Sequence, residues 1–210
     1  MIEAEGAATF RSATDMYGRF VGRYAPSLAA GLIGAVGLER DDRVLDVGCG
    51  PGGLATALAE VVGQQNVSAV DPSQPFVSVC RARLPSADVR VAAAEELPFE
   101  DDSFDSVVST LVLCGVDDQR QALREIRRVL RPGGHLLFIE HVRSDDPKLA
   151  KTQDRMNGLN KFLVGCECNR PTLDTIKAEG FEVDDLEQTT LNKVPKFVRP
   201  AIVGAAATPA

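Results

Sequence analysis

The segment "RVLDVGCGPGGLATALAEVVG" at residues 43–63 constrains this chain more than any other. A short apolar run enters a glycine cluster, and an apolar pattern at helical spacing leaves it. That is a strand passing straight into a helix through a tight turn. Gly48, Gly50 and Gly53 satisfy G-x-G-x-x-G. In such turns the first glycine permits the sharp bend and the second lets a ligand approach the backbone, while the helix start presents free N–H groups. The turn alone leaves two readings open, a nucleotide-type ligand site or a plain strand–helix connection.

The same unit recurs downstream. "NVSAVD" reads as a strand and "PSQPFVSVCRARL" as a helix with Pro72 in its first turn. "DVRVAAA" and "FDSVVST" read as strands. "DDQRQALREIRRVL" is an amphipathic helix that ends at "RPGG", and "HLLFIEHV" is an apolar strand. This alternation predicts a Rossmann-like α/β domain with helices on both faces of a mostly parallel, seven-stranded sheet. After the helix "TLDTIKAEG", the segments "FEVDDLEQTT" and "AIVGAAAT" predict an antiparallel strand pair at the sheet edge. Residues 12–38 carry helical spacing and predict an N-terminal helical cap. Residues 144–170 show no clean period and read as a partly helical cap over a site. One domain of 210 residues results, with a cap at 1–40, a core at 41–142, a substrate cap at 143–170, and a C-terminal helix with edge strands at 171–210.

The formal charge of −7 opposes a general affinity for nucleic acid or an anionic membrane. Neither a signal peptide nor a membrane-spanning run is evident, and the five cysteines have no disulfide-framework spacing. The expectation is a cytoplasmic protein acting on a small molecule, with no nucleic-acid or membrane partner and its oligomeric state open.

Three features bear on the ligand. Asp46 lies inside the first strand, two residues before Gly48, where dinucleotide sites have an apolar residue. A buried carboxylate there needs partners, and turn N–H groups together with a ligand ammonium supply them. Asp71 ends the next strand, where a carboxylate can take both hydroxyls of a ribose, as either type of nucleoside requires. The roughly forty residues ahead of the motif leave room for a cap.

"VLDVGCGPGG", "VDPS", "AAAEELPFEDDSFDSVVS" and "REIRRVLRPGGHLLFIEH" resemble the successive motifs of class I S-adenosylmethionine-dependent methyltransferases of the type 11 group, over about residues 17–142. The resemblance implies S-adenosylmethionine as cofactor. It implies that Gly48 and Gly50 face the methionine part and that Asp71, followed by Pro72, holds the ribose. Ala94 and Glu95 would frame the adenine, and Thr110 and Leu111 would pass beside the donor. Where many relatives carry Asp, this chain has Ala93, so the adenine amine must be met by Glu95, by backbone or by water. "YGRFVGRY" resembles a bacterial subset in which a helix closes over the donor. Tyr17 and Arg23 would then reach its carboxylate, the alternative being two surface groups on an amphipathic helix.

"STLVLCGVDD", "LRPGGHLLFIEHVRS", "GCECNRPTLDTIKAEGF" and "VRPAIVGAA" are similar to the methyltransferases of alkyl and small-molecule thiols, over about residues 109–206. The implied acceptor is a small, fairly apolar thiol, in metabolite tailoring or detoxification. Thiols suit a site with little base catalysis, because they ionise partly near neutral pH. His141, closing the "HLLFIEHV" strand, is the candidate general base, or else a structural histidine at a strand end. Glu140 should point to the opposite sheet face. Met156, Leu159, Phe162 and Leu163 in the cap are candidates to line the acceptor site or to pack the cap down. Cys166 and Cys168 read as buried cap residues, with a redox role, a zinc site or a three-cysteine arsenite site as weaker alternatives. No metal is expected. O- or N-methylation of a small natural product is the alternative reaction, and a non-catalytic donor-binding accessory protein the alternative of another class.

Overall fold

All four residues of β1 (Val44–Val47) are buried, which places this strand in the middle of a sheet covered on both faces. The computed structural model describes residues 37–210, so the N-terminal cap, with Tyr17 and Arg23, lies outside the described residues. After β1 come α1 (Gly53–Val62), β2 (Val67–Asp71), α2 (Gln74–Arg83), β3 (Asp88–Val91), β4 (Phe104–Thr110), α3 (Gln119–Val129) and β5 (Leu130–His141). The chain continues through α4 (Pro147–Val164), α5 (Thr172–Ala178), β6 (Glu182–Thr190) and β7 (Pro200–Ala207).

The seven strands run in the order β3-β2-β1-β4-β5-β7-β6. β1 pairs in parallel with both β2 and β4, while β7 is antiparallel to β5 on one side and to β6 on the other. The fold is therefore the Rossmann-like, mostly parallel sheet with an antiparallel C-terminal pair. The chain moves outward from β1 through β2 to β3, then returns to lay β4 on β1's other side. That reversal opens a crevice at the carboxyl ends of β1 and β4, the usual ligand position in such sheets.

Side-chain alternation divides the interior into two cores. Leu45, Val47, Val107, Leu136 and Phe138 meet Leu123 and Ile126 of α3 and Ile176 of α5 on one face. Val44, Ala69, Val108, Leu137 and Ile139 meet Leu54 and Leu58 of α1 and Val77 of α2 on the other. Asp46 falls on this second face, in register with Ala69 and Val108.

Two local expectations change. α2 begins at Gln74 with Ser73 as N-cap residue and a proline, Pro75, in its first two positions, so the exposed Pro72 lies ahead of the helix. Residues 147–164 form one helix of 18 residues, the helical part of the segment that the sequence reads as partly helical. Its boundary signals are local. Asp146 accepts the Lys148 N–H at 2.9 Å, Pro147 comes next, and Gly165 stops the helix at φ 70°.

Candidate functional site

The glycine turn is shaped by three left-handed residues, Gly48 (φ 72°), Gly50 (φ 51°) and Gly52 (φ 85°). Gly48 and Cys49 both donate to the Val70 carbonyl, which ties the turn to β2 at 2.8 and 2.9 Å. A side chain at Gly48 would meet Val112 Cγ2 at 2.3 Å, and one at Gly52 would meet Cys80 Sγ at 2.7 Å. Of the two glycines at the helix start, Gly52 carries the conformational requirement, and Gly53 is already the first helical residue. The G-x-G-x-x-G spacing points to Gly53 instead.

Asp71 at the end of β2 is the hub of the turn. One carboxylate oxygen accepts the Gly50 N–H at 2.9 Å and the other the Ser73 N–H at 2.8 Å. Burial pushes its pKa up, and those two N–H groups pull it back. Asp46 is 2% exposed. It takes the Ala55 N–H, yet its Oδ2 has no partner, and burial plus the neighbouring Asp71 raise its pKa from 3.8 to about 7.

Asp46 Oδ2 is one of five buried polar side-chain atoms without a partner among the described residues, with Ser73 Oγ, Thr110 Oγ1, His141 Nδ1 and Asn157 Oδ1. An orphaned buried polar atom costs about 1–3 kcal/mol, so a cluster of them marks a place meant for a polar ligand. Asp46, Ser73, Thr110 and His141 all sit at or near the carboxyl ends of β1, β2, β4 and β5. By register, Asp46 stands beside Val108 and Thr110 beside Ile139, so Asp46, Thr110 and His141 step diagonally across one sheet face. Ser73 escapes sequence reasoning, since a Ser after Asp-Pro reads simply as a helix cap.

The β4–α3 loop closes the crevice. Leu111 adopts φ 58°, a costly conformation for a branched side chain, while its N–H donates to the Ile139 carbonyl at 2.7 Å. Glu140 holds the next three residues of the loop. Fully buried, it accepts N–H groups from Val112 and Leu113 at 2.9 and 3.0 Å, the Ser109 hydroxyl at 3.0 Å and the Cys114 N–H at 3.3 Å. Burial outweighs these bonds and lifts its pKa from 4.5 to about 7. Glu140 therefore positions the loop that seats Val112 against Gly48.

Ala94 is buried beside the β3 end, and Glu95 turns its carboxylate to the start of α3, where Oε1 accepts the Asp117 and Asp118 N–H groups at 2.8 and 3.3 Å. His141 lies on the face opposite Glu140. Burial lowers its pKa, and its ring N–H is taken by the carbonyls of Val198 and Pro200 just ahead of and in β7. Its Nδ1 has no partner. Met156 is half-buried on α4, and Leu159, Phe162 and Leu163 are 52%, 80% and 56% exposed, so these three do not pack the helix onto the domain.

A glycine turn, a strand-end aspartate on it and a second buried carboxylate one strand away gather polar groups at the carboxyl ends of β1 and β2. Comparison with known proteins shows what the chain is similar to. Residues 45–138 match a family described as "Methyltransferase domain". Over those residues the chain is similar to that family. An uncharacterized methyltransferase of Mycobacterium tuberculosis is 38% identical over 137 residues, 65% of this chain and 54% of its own length. The ubiquinone/menaquinone biosynthesis C-methyltransferase of Vibrio vulnificus is 36% identical over 125 residues, 56% of this chain and 48% of its own length. The chain thus spans about half the length of these curated relatives. Among solved structures, the geranyl diphosphate C-methyltransferase of Streptomyces coelicolor, in complex with S-adenosyl-L-homocysteine, superposes with a TM-score of 0.69 at 17% identity, covering 88% of this chain and 79% of that one.

The fold is shared with that solved structure, which holds S-adenosyl-L-homocysteine. The residues at these strand ends fit S-adenosylmethionine as a donor. Asp46 Oδ2 is an unpartnered anionic acceptor of the kind an ammonium needs, and Asp71 is fixed by backbone on both oxygens with lone pairs to spare. Three or more His, Cys, Asp or Glu residues placed to hold a metal do not occur among the described residues. Nor, among them, is any helix long and apolar enough to cross a membrane.

Proposed function

We propose that this chain transfers a methyl group from S-adenosylmethionine to a small, fairly apolar acceptor, and that the receiving atom is a thiol sulfur. The buried, unpartnered Asp46 Oδ2 beside the glycine turn carries the donor half of the reading. In this reading Asp46 holds the ammonium, Gly48 and Gly50 leave room for the methionine part, and Asp71, with Ser73 beside it, takes the ribose hydroxyls. When bound, the donor supplies a methyl group on a sulfonium, an excellent leaving group.

The chain's own residues then have little bond-making work. They bind, orient the acceptor and exclude water. His141, neutral through burial and with Nδ1 free to accept, suits the removal of one weakly held proton. A thiol asks no more than that, since it ionises partly near neutral pH. The apolar side chains of α4, Leu159, Phe162 and Leu163, suit a lipophilic acceptor. Methylation at a ring carbon of a quinol is the second reading, favoured by the similarity to a quinone C-methyltransferase.

The test is incubation with isotopically labelled donor and a panel of thiols, phenols, amines and a quinol, followed by identification of the methylated atom. With a thiol, His141→Ala costs little near pH 8.5 and more near pH 6.5. With a hydroxyl acceptor the loss stays large, on the order of 10²-fold, at both. Turnover of phenols or quinols without turnover of thiols refutes the sulfur assignment.

A further inference from the structure

Cys114 and Cys166 lie 52 positions apart in the sequence, and the fold sets their thiols side by side. Cys114 is buried on the β4–α3 loop, and Cys166 is half-buried just past the glycine that ends α4. The two segments are joined by backbone. The Glu167 N–H donates to the Cys114 carbonyl at 2.8 Å, and Gly115 approaches the Gly165 carbonyl closely. Arg170 reinforces the joint by donating to the carbonyls of Leu113 and Val116 at 2.9 and 2.7 Å.

Cys168, the other half of the C-x-C pair, is turned away. It is fully buried, and its carbonyl accepts the Gln153 amide at 2.9 Å. The geometry points to Cys114 and Cys166 as an oxidisable dithiol site, whose co-reactant is a hydroperoxide and whose product is a disulfide tying the end of α4 to the loop behind the glycine turn. The half-buried Cys166 sulfur attacks the peroxide, breaking its O–O bond to give a sulfenic acid and releasing water or an alcohol. The Cys114 thiol then displaces hydroxide from that sulfur, which leaves as water with the thiol proton. Two thiols are oxidised by one electron each, and the peroxide is reduced by two. The hydrogen bond to Cys166 and burial hold the Cys114 proton tightly, and the half-buried Cys166 is the sulfur a peroxide can reach, so it is the first to react.

The joined loop is the one that Glu140 holds and that presses Val112 on Gly48, so the link would bear on the donor site without supplying a residue to it. The site rests on thiol placement alone and stands whether or not the proposed reaction does. The test uses the purified full chain treated with a stoichiometric amount of hydrogen peroxide, then blocked and mapped by mass spectrometry. The expected result is one Cys114–Cys166 crosslink with the loss of two hydrogens, reversed by dithiothreitol and retained in Cys168→Ser. In Cys114→Ser, a dimedone adduct should collect on Cys166. If that variant does not fold, Cys166→Ser should abolish the crosslink while leaving Cys114 reduced. A predominant Cys166–Cys168 or Cys49–Cys80 link, irreversible oxidation of Cys166 in the wild type, or retention of all five thiols would overturn the assignment.

Discussion

Donor binding should release a proton from Asp46. Its carboxyl is buried beside Asp71 with one oxygen unpartnered, and its pKa stands at about 7. A cationic ammonium placed against it favours the ionised form, so only that form binds well. Between about pH 6 and about pH 7.5 the ionised fraction climbs from roughly 10% to roughly 75%, which makes affinity rise about eight-fold. Asp46→Asn keeps the shape and removes the titration. At the upper pH it should lose roughly ten- to a hundred-fold in affinity, the value of about 1.5–3 kcal/mol for a hydrogen bond to a charged group. At the lower pH the gap to the wild type should narrow, because the wild-type carboxyl is then mostly protonated. Calorimetry with S-adenosylhomocysteine in buffers of different ionisation enthalpy reads both affinity and proton release. Asp71 also has a raised pKa, and a slope that survives in Asp46→Asn would transfer the effect to it. Wild-type affinity that stays flat across the range refutes the ammonium assignment.

Asp71→Ala should weaken donor binding by about 1.5–3 kcal/mol and also lower the melting temperature, because the Gly50 and Ser73 N–H groups lose their acceptor; calorimetry and thermal denaturation read the two effects separately. Glu140→Ala strands three backbone N–H groups and a hydroxyl, and chemical denaturation should show a loss of several kcal/mol at about 1 kcal/mol or more per group. The folded pKa of Glu140 is raised from 4.5 to about 7, so its contribution is full below about pH 4.5 and falls away as pH rises through about 7, by about 3 kcal/mol, and Glu140→Gln should flatten that part of the stability profile. Gly52→Ala should destabilise by about 1–2 kcal/mol or more from its left-handed backbone and the Cys80 contact, while Gly53→Ala, at a helical position, should escape the backbone cost; equal losses in denaturation would refute the assignment of the turn.

Much of the architecture was legible because it is encoded locally. β1, α1 and β2 follow from a buried apolar run, a glycine cluster and helical spacing, each readable within a few residues. The antiparallel β6–β7 pair was legible from two strand-like segments close together. The bounds of α4 were not legible from periodicity because its apolar residues do not form the stripe that packs a helix on a core. Only Ala150 and Gln153 are buried, and its caps, Asp146 and Gly165, were the signal available. Pro72 misleads as a helix residue because two prolines compete for the role, and the helix starts after Ser73, with Pro75 in its first turn.

Local sequence dictates the order of elements, the glycine turn and the placing of Asp46 and Asp71 at strand ends, since each depends on neighbours within a turn or a strand. What those strand ends do together belongs to the tertiary structure. Glu140 can be assigned a sheet face from alternation, but not the three N–H groups of residues 112–114 that it holds. The surroundings of His141 include the backbone of Val198 and Pro200, and the partner of Cys166 is Cys114 rather than its neighbour Cys168. These are contacts between residues dozens of positions apart. Local propensity and periodicity carry no information about such pairs, which exist only once the sheet order has brought β4, β5 and β7 side by side.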